Sequence, residues 1–240
     1  MTKVLVTMPV YNEAKMIRQD LIELHSLCSK TLPDFELLIV DDGSTDETPT
    51  ILESMVKKLE HTSIMRQKIN GGRGRALRSA WQAKDADIYM YIDADLAPDI
   101  NQIPNFVKHM ENGCDLVVAS RYLPGSNVER PFLRDIAARY YNQLIRIIFK
   151  SKVYDHQCGL KAFSAPLIEN ILSKCNSPDW FWDTEMIVFA QLQGYKIGEI
   201  PIYWVEPRSK YTPIKRLIKD TMLHSVGAMK LIRKIYLTKE

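Results

Sequence analysis

Three short clusters hold most of the side chains able to do chemistry: Asp93-Ala94-Asp95, Asp41-Asp42 and Pro9-Val10-Tyr11-Asn12-Glu13. Two carboxylates flanking a small residue on a tight turn can offer oxygen ligands to Mg²⁺ or Mn²⁺. An ion held there would bridge phosphate oxygens and neutralise charge on a departing phosphorylated group. Asp41 and Asp42 close an apolar run, where a carboxylate can accept hydrogen bonds from a base or a ribose. The residues after them, Ser44 to Glu47, read as the cap and acidic first turn of a helix. Asn70-Gly71-Gly72-Arg73-Gly74-Arg75 resembles a phosphate loop without the Walker Lys-Ser/Thr pair. Its glycines permit a tight turn and close backbone approach, and Arg73 and Arg75 face either phosphate or solvent. His156 reads as a polar turn residue rather than a metal ligand. Trp180, Phe181 and Trp182 serve as stacking surfaces or as core.

These clusters need strands to hold them. Val4 to Met8, Phe35 to Val40, Ser63 to Arg66, Ile88 to Ile92 and Leu116 to Ser120 are short apolar runs, and helical patterns separate them. The alternation predicts an α/β fold with a doubly wound, mostly parallel sheet. Ligands bind such sheets at the carboxyl ends of the strands, and all three clusters fall at predicted strand ends. Beyond residue 125 the expected elements are a helix over Arg134 to Phe149, a turn and strand over Asp155 to Phe163, a helix over Asp183 to Gln193 and a strand over Lys196 to Val205. One or two amphipathic helices follow from Pro213 to Tyr236.

Composition narrows the classes. The chain has 240 residues, 46% hydrophobic and 25% charged, enough for one large core. A net charge of +3 argues against nucleic acid as the partner. The bases concentrate after residue 206, which points to an anionic surface or ligand. Cys28, Cys114, Cys158 and Cys175 form no C-x-x-C pair and read as reduced cytosolic thiols. The amino terminus enters a strand without the pattern of a signal peptide, and no run approaches the length of a membrane span. The expected location is therefore cytoplasmic, peripheral on the cytoplasmic face of a membrane.

P9-V-Y-N-E13, D41-D-G-S-T-D46 and D93-A-D95, in that order, resemble the inverting glycosyltransferases of family 2, which have a Rossmann-like GT-A fold. The resemblance covers roughly residues 3 to 210. S120-R-Y122, D155-H-Q-C-G-L-K-A-F163 and W182-D-T-E185 look like the dolichyl-phosphate glucosyl- and mannosyltransferase branch. No Q-x-x-R-W motif of processive polysaccharide synthases is present. The resemblance implies that Pro9, Tyr11, Glu13, Asp41 and Asp42 cradle the nucleotide, and that Asp93 and Asp95 serve nucleotide and metal. It also implies that Arg121 faces a phosphate, and that Arg208, Ser209 and Lys210 belong to a basic segment over the diphosphate. Ala97 stands where mannosyltransferases often carry glutamine, so UDP-glucose is at least as compatible a donor as GDP-mannose.

The acceptor implied is a polyisoprenyl phosphate, already anionic, which needs positioning and charge compensation rather than a base. Arg121, Arg134, Arg139 and Gln157 are the candidates to meet it. A sugar hydroxyl would instead need a general base, for which Asp183 is the candidate and Glu185 the second. The expected division is a catalytic domain over residues 1–212 and a basic amphipathic segment over 213–240. That segment and the Arg134–Phe149 helix suit a peripheral membrane contact, and a homodimer would also use their apolar stripe. A sugar nucleotidyltransferase would need a basic glycine-rich loop at the amino terminus, which is absent. A non-catalytic nucleotide-sugar binder would not need all three acid clusters.

Overall fold

A computed structural model describes residues 1–205, the backbone of 214–237 and the side chains of 222–236. Arg208, Ser209, Lys210 and the expected boundary at 212 lie outside the described residues. The centre is a seven-stranded sheet. Its strands are β1 (Val4–Val10), β2 (Phe35–Asp41), β3 (Thr62–Arg66), β4 (Ile88–Ile92), β5 (Leu116–Ser120), β7 (Leu160–Ser164) and β8 (Ile197–Pro201). Across the sheet they run β3-β2-β1-β4-β7-β5-β8. A separate two-stranded parallel ribbon joins β6 (Asn127–Glu129) to β9 (Tyr203–Val205).

Strand side chains alternate between faces, and β1 shows the result. Val4, Val6 and Met8 enter one core with Ile17, Leu21 and Leu24 of α1 (Ile17–Thr31), Leu52 of α2 (Thr48–Val56) and Phe106 of α4 (Ile103–Glu111). Leu5 enters the opposite core with Leu77 and Trp81 of α3 (Arg73–Gln82), Leu167 of α6 (Ala165–Ile171) and Met186 of α7 (Trp182–Leu192). With both faces covered, β4 (Ile-Tyr-Met-Tyr-Ile) is buried throughout, as an unbroken apolar run requires.

The mostly parallel, doubly wound reading therefore holds, with local departures. β7 runs antiparallel between β4 and β5. The predicted strand over 196–205 divides, because Ile202 leaves the main sheet and β9 pairs with β6 instead. A third cluster joins Ile145 and Phe149 of α5 (Phe132–Phe149) to Phe181, Val188 of α7, and Ala228 and Leu231 of α8 (Ile214–Ile232). At Gly227 a Cβ would lie 2.4 Å from Phe181 Cγ. Glycine is what lets the α8 backbone press against that ring. Among the described residues, no helix is long and apolar enough to cross a membrane.

Candidate functional site

The register aligns the strand ends. Val10 sits beside Asp41 across β1 and β2, and Thr7 beside Tyr91 across β1 and β4. Parallel strands lie about 4.8 Å apart. Asp41 and the turn after β4 thus share one rim, two strand spacings apart. Asp41 is fully buried and accepts from Ser44 N at 2.9 Å. Its Oδ2 lies 3.2 Å from Arg66 Nε but outside hydrogen-bond geometry. Asp42 accepts from Gly71 N at 3.0 Å and Gly72 N at 2.6 Å, with Arg75 Nη2 at 3.3 Å. It is the clamp on the glycine loop. Asn12 ties the first two clusters together: its Oδ1 accepts from Thr45 N at 2.8 Å, and its own N–H donates to Ser44 Oγ at 2.9 Å. Tyr11 and Glu13 flank it, Tyr11 with an exposed ring. Pro9 is paired with Val40 just inside the rim.

The D-A-D turn is held from below. Leu96 N donates to Asp93 O at 3.0 Å, and Leu96 itself adopts φ +44°, a left-handed conformation that costs a non-glycine residue of order 1–3 kcal/mol. Asp95 Oδ1 accepts from Ala97 N at 3.2 Å, and its other oxygen has no partner among the described residues. Asp93 Oδ1 pairs with Arg73 Nη1 at 2.8 Å. Burial pushes the Asp93 carboxyl up to about 6; Arg73 opposes the shift and Asp95 adds to it. Its side chain keeps 19% of its exposure.

Arg73 begins α3, where Gly72 (φ +90°) turns the chain against Pro178 O. The guanidinium bridges Asp93 and Asp183 and stacks on Trp180 at 4.1 Å from the ring centroid. Burial opposes its charge, but Asp183 and Asp93 outweigh that and hold its pKa above the ordinary value. Asp183 has no exposed surface: Tyr91 Oη donates to Oδ1 at 2.7 Å, and Lys161 Nζ lies 3.5 Å from Oδ2. Lys161, also fully buried, donates to Tyr91 Oη at 3.1 Å and Cys158 O at 2.6 Å. Three carboxylates (Asp93, Asp95, Asp183) against two cations (Arg73, Lys161) leave one negative charge facing the rim.

Among the described residues no three His, Cys, Asp or Glu side chains form a ligand set. Of the described residues, Asp95 and Asp93 are the ones placed to supply ligands. That suits Mg²⁺ or Mn²⁺, which completes its shell with phosphate and water, and not a closed zinc site. Gly159 makes the fit depend on a missing side chain, since a Cβ there would lie 2.0 Å from Asp93 Oδ2. Gly159→Ala is expected to rotate the Asp93 carboxylate away and lower turnover by about 10²-fold, the scale of a 1 Å misplacement. Steady-state kinetics on the folded variant checks this, and unchanged kcat would show that Asp93 need not stay in place.

Beyond β5, Arg121 is buried in a fork with Asp155: Nε to Oδ2 at 2.7 Å, Nη2 to Oδ1 at 2.9 Å and its backbone N–H to Oδ2 at 3.0 Å. Burial opposes ionisation of Asp155, but Arg121 outweighs it and holds the carboxyl down at about 2. Arg139 pairs with Asp135 at 2.6 Å on the outer face of α5. Gln157 Nε2 meets His224 Nε2 of α8 at 2.7 Å. His156 is an interior histidine, bonded to Ser151 Oγ at 2.8 Å and Asn142 Oδ1 at 2.9 Å.

Burial lowers the His156 pKa to about 3. Below its ordinary value near 6.5, the unfolded chain therefore takes up a proton that the folded chain refuses. The expected loss is about 2 kcal/mol of stability between pH 7 and pH 5. Urea unfolding at the two pH values checks it against His156→Gln, which must show a shallower slope.

The acid clusters at the rim are thus brought together, while Arg121 and Gln157 lie on a neighbouring wall. Sequence reasoning left Arg73 open, named Asn12 only within its cluster without a role, and missed Tyr91 and Lys161. The Lys161 signal was present: a lone lysine inside the apolar run Leu160–Phe163 is buried if that run is a strand.

The profile of glycosyl transferase family 2 matches residues 5–172. The chain belongs to that family. Glycosyltransferase AglD of Haloferax volcanii is 35% identical over 209 residues, covering 86% of this chain and 33% of AglD, so the chain spans a third of that relative. A dolichyl-phosphate beta-glucosyltransferase of Trichomonas vaginalis is 28% identical, covering 94% of this chain and 75% of its own length. That of Dictyostelium discoideum is 28% identical, with 89% and 70% covered. These relatives bear out the dolichyl-phosphate branch of the family 2 resemblance. Glucosyl-3-phosphoglycerate synthase from Mycobacterium tuberculosis, solved with Mn²⁺, UDP and phosphoglyceric acid, superimposes with a TM-score of 0.74 at 19% identity, covering 95% of this chain and 78% of that one. It shares the GT-A fold. This family 2 chain is accordingly a glycosyltransferase.

Proposed function

We propose that this glycosyltransferase moves a hexose, with inversion, from UDP-glucose or GDP-mannose to a polyisoprenyl phosphate. The observation that carries the reading is the pairing of an acidic rim, Asp41, Asp93 and Asp95, with an arginine-rich wall beyond β5. Asp41 with Pro9, Tyr11 and Glu13 receives the nucleotide. Asp42 acts through the loop it clamps, and Arg208, Ser209 and Lys210 remain assigned to the diphosphate by sequence. Mg²⁺ or Mn²⁺, held by Asp95 with Asp93, would supply charge compensation to the leaving diphosphate. Arg121, Arg134, Arg139 and Gln157 form the acceptor side.

A hydroxyl acceptor would need Asp183 as base. Its oxygens already accept from Tyr91 and Arg73 beneath the surface, which favours an acceptor that brings its own charge. The dolichyl-phosphate names of the relatives favour the same acceptor.

α5 exposes Phe132, Leu133, Tyr140 and Ile147, and α8 exposes Met222 and Met229. Arginines lie among the α5 residues, a composition suited to peripheral contact with anionic headgroups at a cytoplasmic membrane face. A homodimer through this face would instead change the sedimentation coefficient with concentration.

The test is a matrix of UDP- and GDP-sugars against a polyisoprenyl phosphate, with Mg²⁺, Mn²⁺ or chelator. A sugar-phosphate lipid formed from one donor and only with metal is expected. Absence of that product across the matrix would sink the reading.

A further inference from the structure

The ribbon of β6 and β9 carries Trp204, almost fully buried, and two guanidinium groups lie over its ring. Arg121 Cζ is 5.5 Å and Arg130 Cζ 5.2 Å from the centroid. The two arginines differ in what they face. Arg121 spends its fork on Asp155. Arg139, nearby over Tyr122, spends its Nε on Asp135. Arg130 has no carboxylate in ion-pair contact among the described residues, and its Nε and Nη1 are buried without a hydrogen-bond partner. Tyr122 Oη is buried and unpartnered as well. Burial and the charges of Arg121 and Arg134 depress the Arg130 pKa to about 10.

Arg130 as a whole is half-buried, but two buried N–H donors without partners are costly for its guanidinium. Here stacking on Trp204 holds it in place without neutralising it. The ribbon is clipped to the metal turn: Val205 N donates to Ala97 O at 3.0 Å, and Asp99 N to Tyr203 O at 2.9 Å. The orphan donors are therefore fixed relative to Asp95.

We propose that Arg130 and Tyr122, seated on Trp204, form an anion subsite for a phosphomonoester, the head of the lipid acceptor. The assignment rests on the acceptor reading above and alters it, since the charge that meets the phosphate is that of Arg130, while Arg121 is a positioning residue neutralised by Asp155. A guanidinium offers two parallel N–H groups to phosphate oxygens, and Tyr122 adds an O–H donor. A neutral hydroxyl acceptor would leave the buried N–H donors of Arg130 without a counter-charge.

The experiment is calorimetric titration of the full chain with farnesyl phosphate, inorganic phosphate and farnesol in one detergent, with UDP as the donor-side control. Arg130→Gln is expected to weaken farnesyl phosphate binding about tenfold to a hundredfold, the scale of a lost charge-assisted hydrogen bond. Farnesol and UDP affinities should not move. Arg130→Lys should recover part of the loss, and Tyr122→Phe should show a smaller one. Inorganic phosphate weakened by the same factor assigns the site to the phosphate alone. Arg130-dependent binding of farnesyl phosphate without binding of inorganic phosphate assigns it to the lipid headgroup. Wild-type affinity for farnesyl phosphate in Arg130→Gln, or a parallel loss of UDP binding, overturns the subsite. Turnover of farnesyl phosphate untouched by Arg130→Gln sinks the subsite and leaves the acceptor reading standing. Arg130-dependent binding without turnover by any nucleotide sugar does the reverse.

Discussion

Asp95→Asn is expected to lower the rate of sugar transfer by on the order of 10²–10³-fold while leaving the fold intact. Asp95 contributes little to its own surroundings. One oxygen accepts from Ala97 N at 3.2 Å, a bond that an asparagine carbonyl can replace, and the other meets no described residue. What the substitution removes is negative charge at the rim. The three carboxylates and two cations there become two and two, and the net charge that would attract a divalent cation disappears. The loss should therefore show in two measurements: release of nucleoside diphosphate, and Mn²⁺-dependent protection of the folded chain against thermal unfolding in the presence of UDP. A variant retaining both would remove Asp95 from the chemistry. Asp93→Asn is a less clean probe, because it also weakens the ion pair with Arg73.

Asp183→Leu is expected to cost about 3–5 kcal/mol of folding stability, because it leaves Lys161 buried without its carboxylate and Arg73 with Asp93 alone. That is a large share of the roughly 5–15 kcal/mol that holds a domain together. Asp183→Asn separates two roles for this residue. It keeps an oxygen for Tyr91 and removes the charge. If Asp183 only positions Arg73, stability and kcat should fall together, and Lys161→Met should restore part of the stability in the double variant. If Asp183 were also a base, kcat would stay collapsed in the double variant even though its stability recovers. The double-mutant cycle measures the buried pair directly.

The parts of the site that could be read from sequence are those whose information is local. Asp41 and Asp93 end apolar runs of four and five residues, Leu37–Val40 and Ile88–Ile92, and such runs flanked by helices make strands whose carboxyl ends share an edge. Asn12, by contrast, lies in the first motif, but its bond to Thr45 crosses 33 positions and nothing in the residue type announces it. Arg73 could not be oriented because the glycines around it permit many loop shapes, and Asp183, its anchor, is 110 residues away. The direction of β7 was equally hidden, since Leu160–Ser164 has the same apolar character in either sense. The helix α6 was missed although its signal was present: Ser164 accepts from Leu167 N as a cap, and Pro166 sits in the first turn. Arg130 carried no signal of its own in the sequence, because its platform, Trp204, lies on a ribbon that only the assembled fold creates.

The reversed strand β7 has a consequence for how the chain is made. β4 has no neighbour on its far side until Leu160–Ser164 exists, and β5 never touches β4. A nascent chain that has emerged through Ser120 therefore carries a bare apolar edge on a strand that the finished sheet buries throughout, of the kind that recruits other chains. Ribosome-stalled chains ending before residue 160 should bind chaperones and expose Asp93 to solvent, whereas those released past 164 should close the sheet in one step, bringing Gly159 against the carboxylate as they do so.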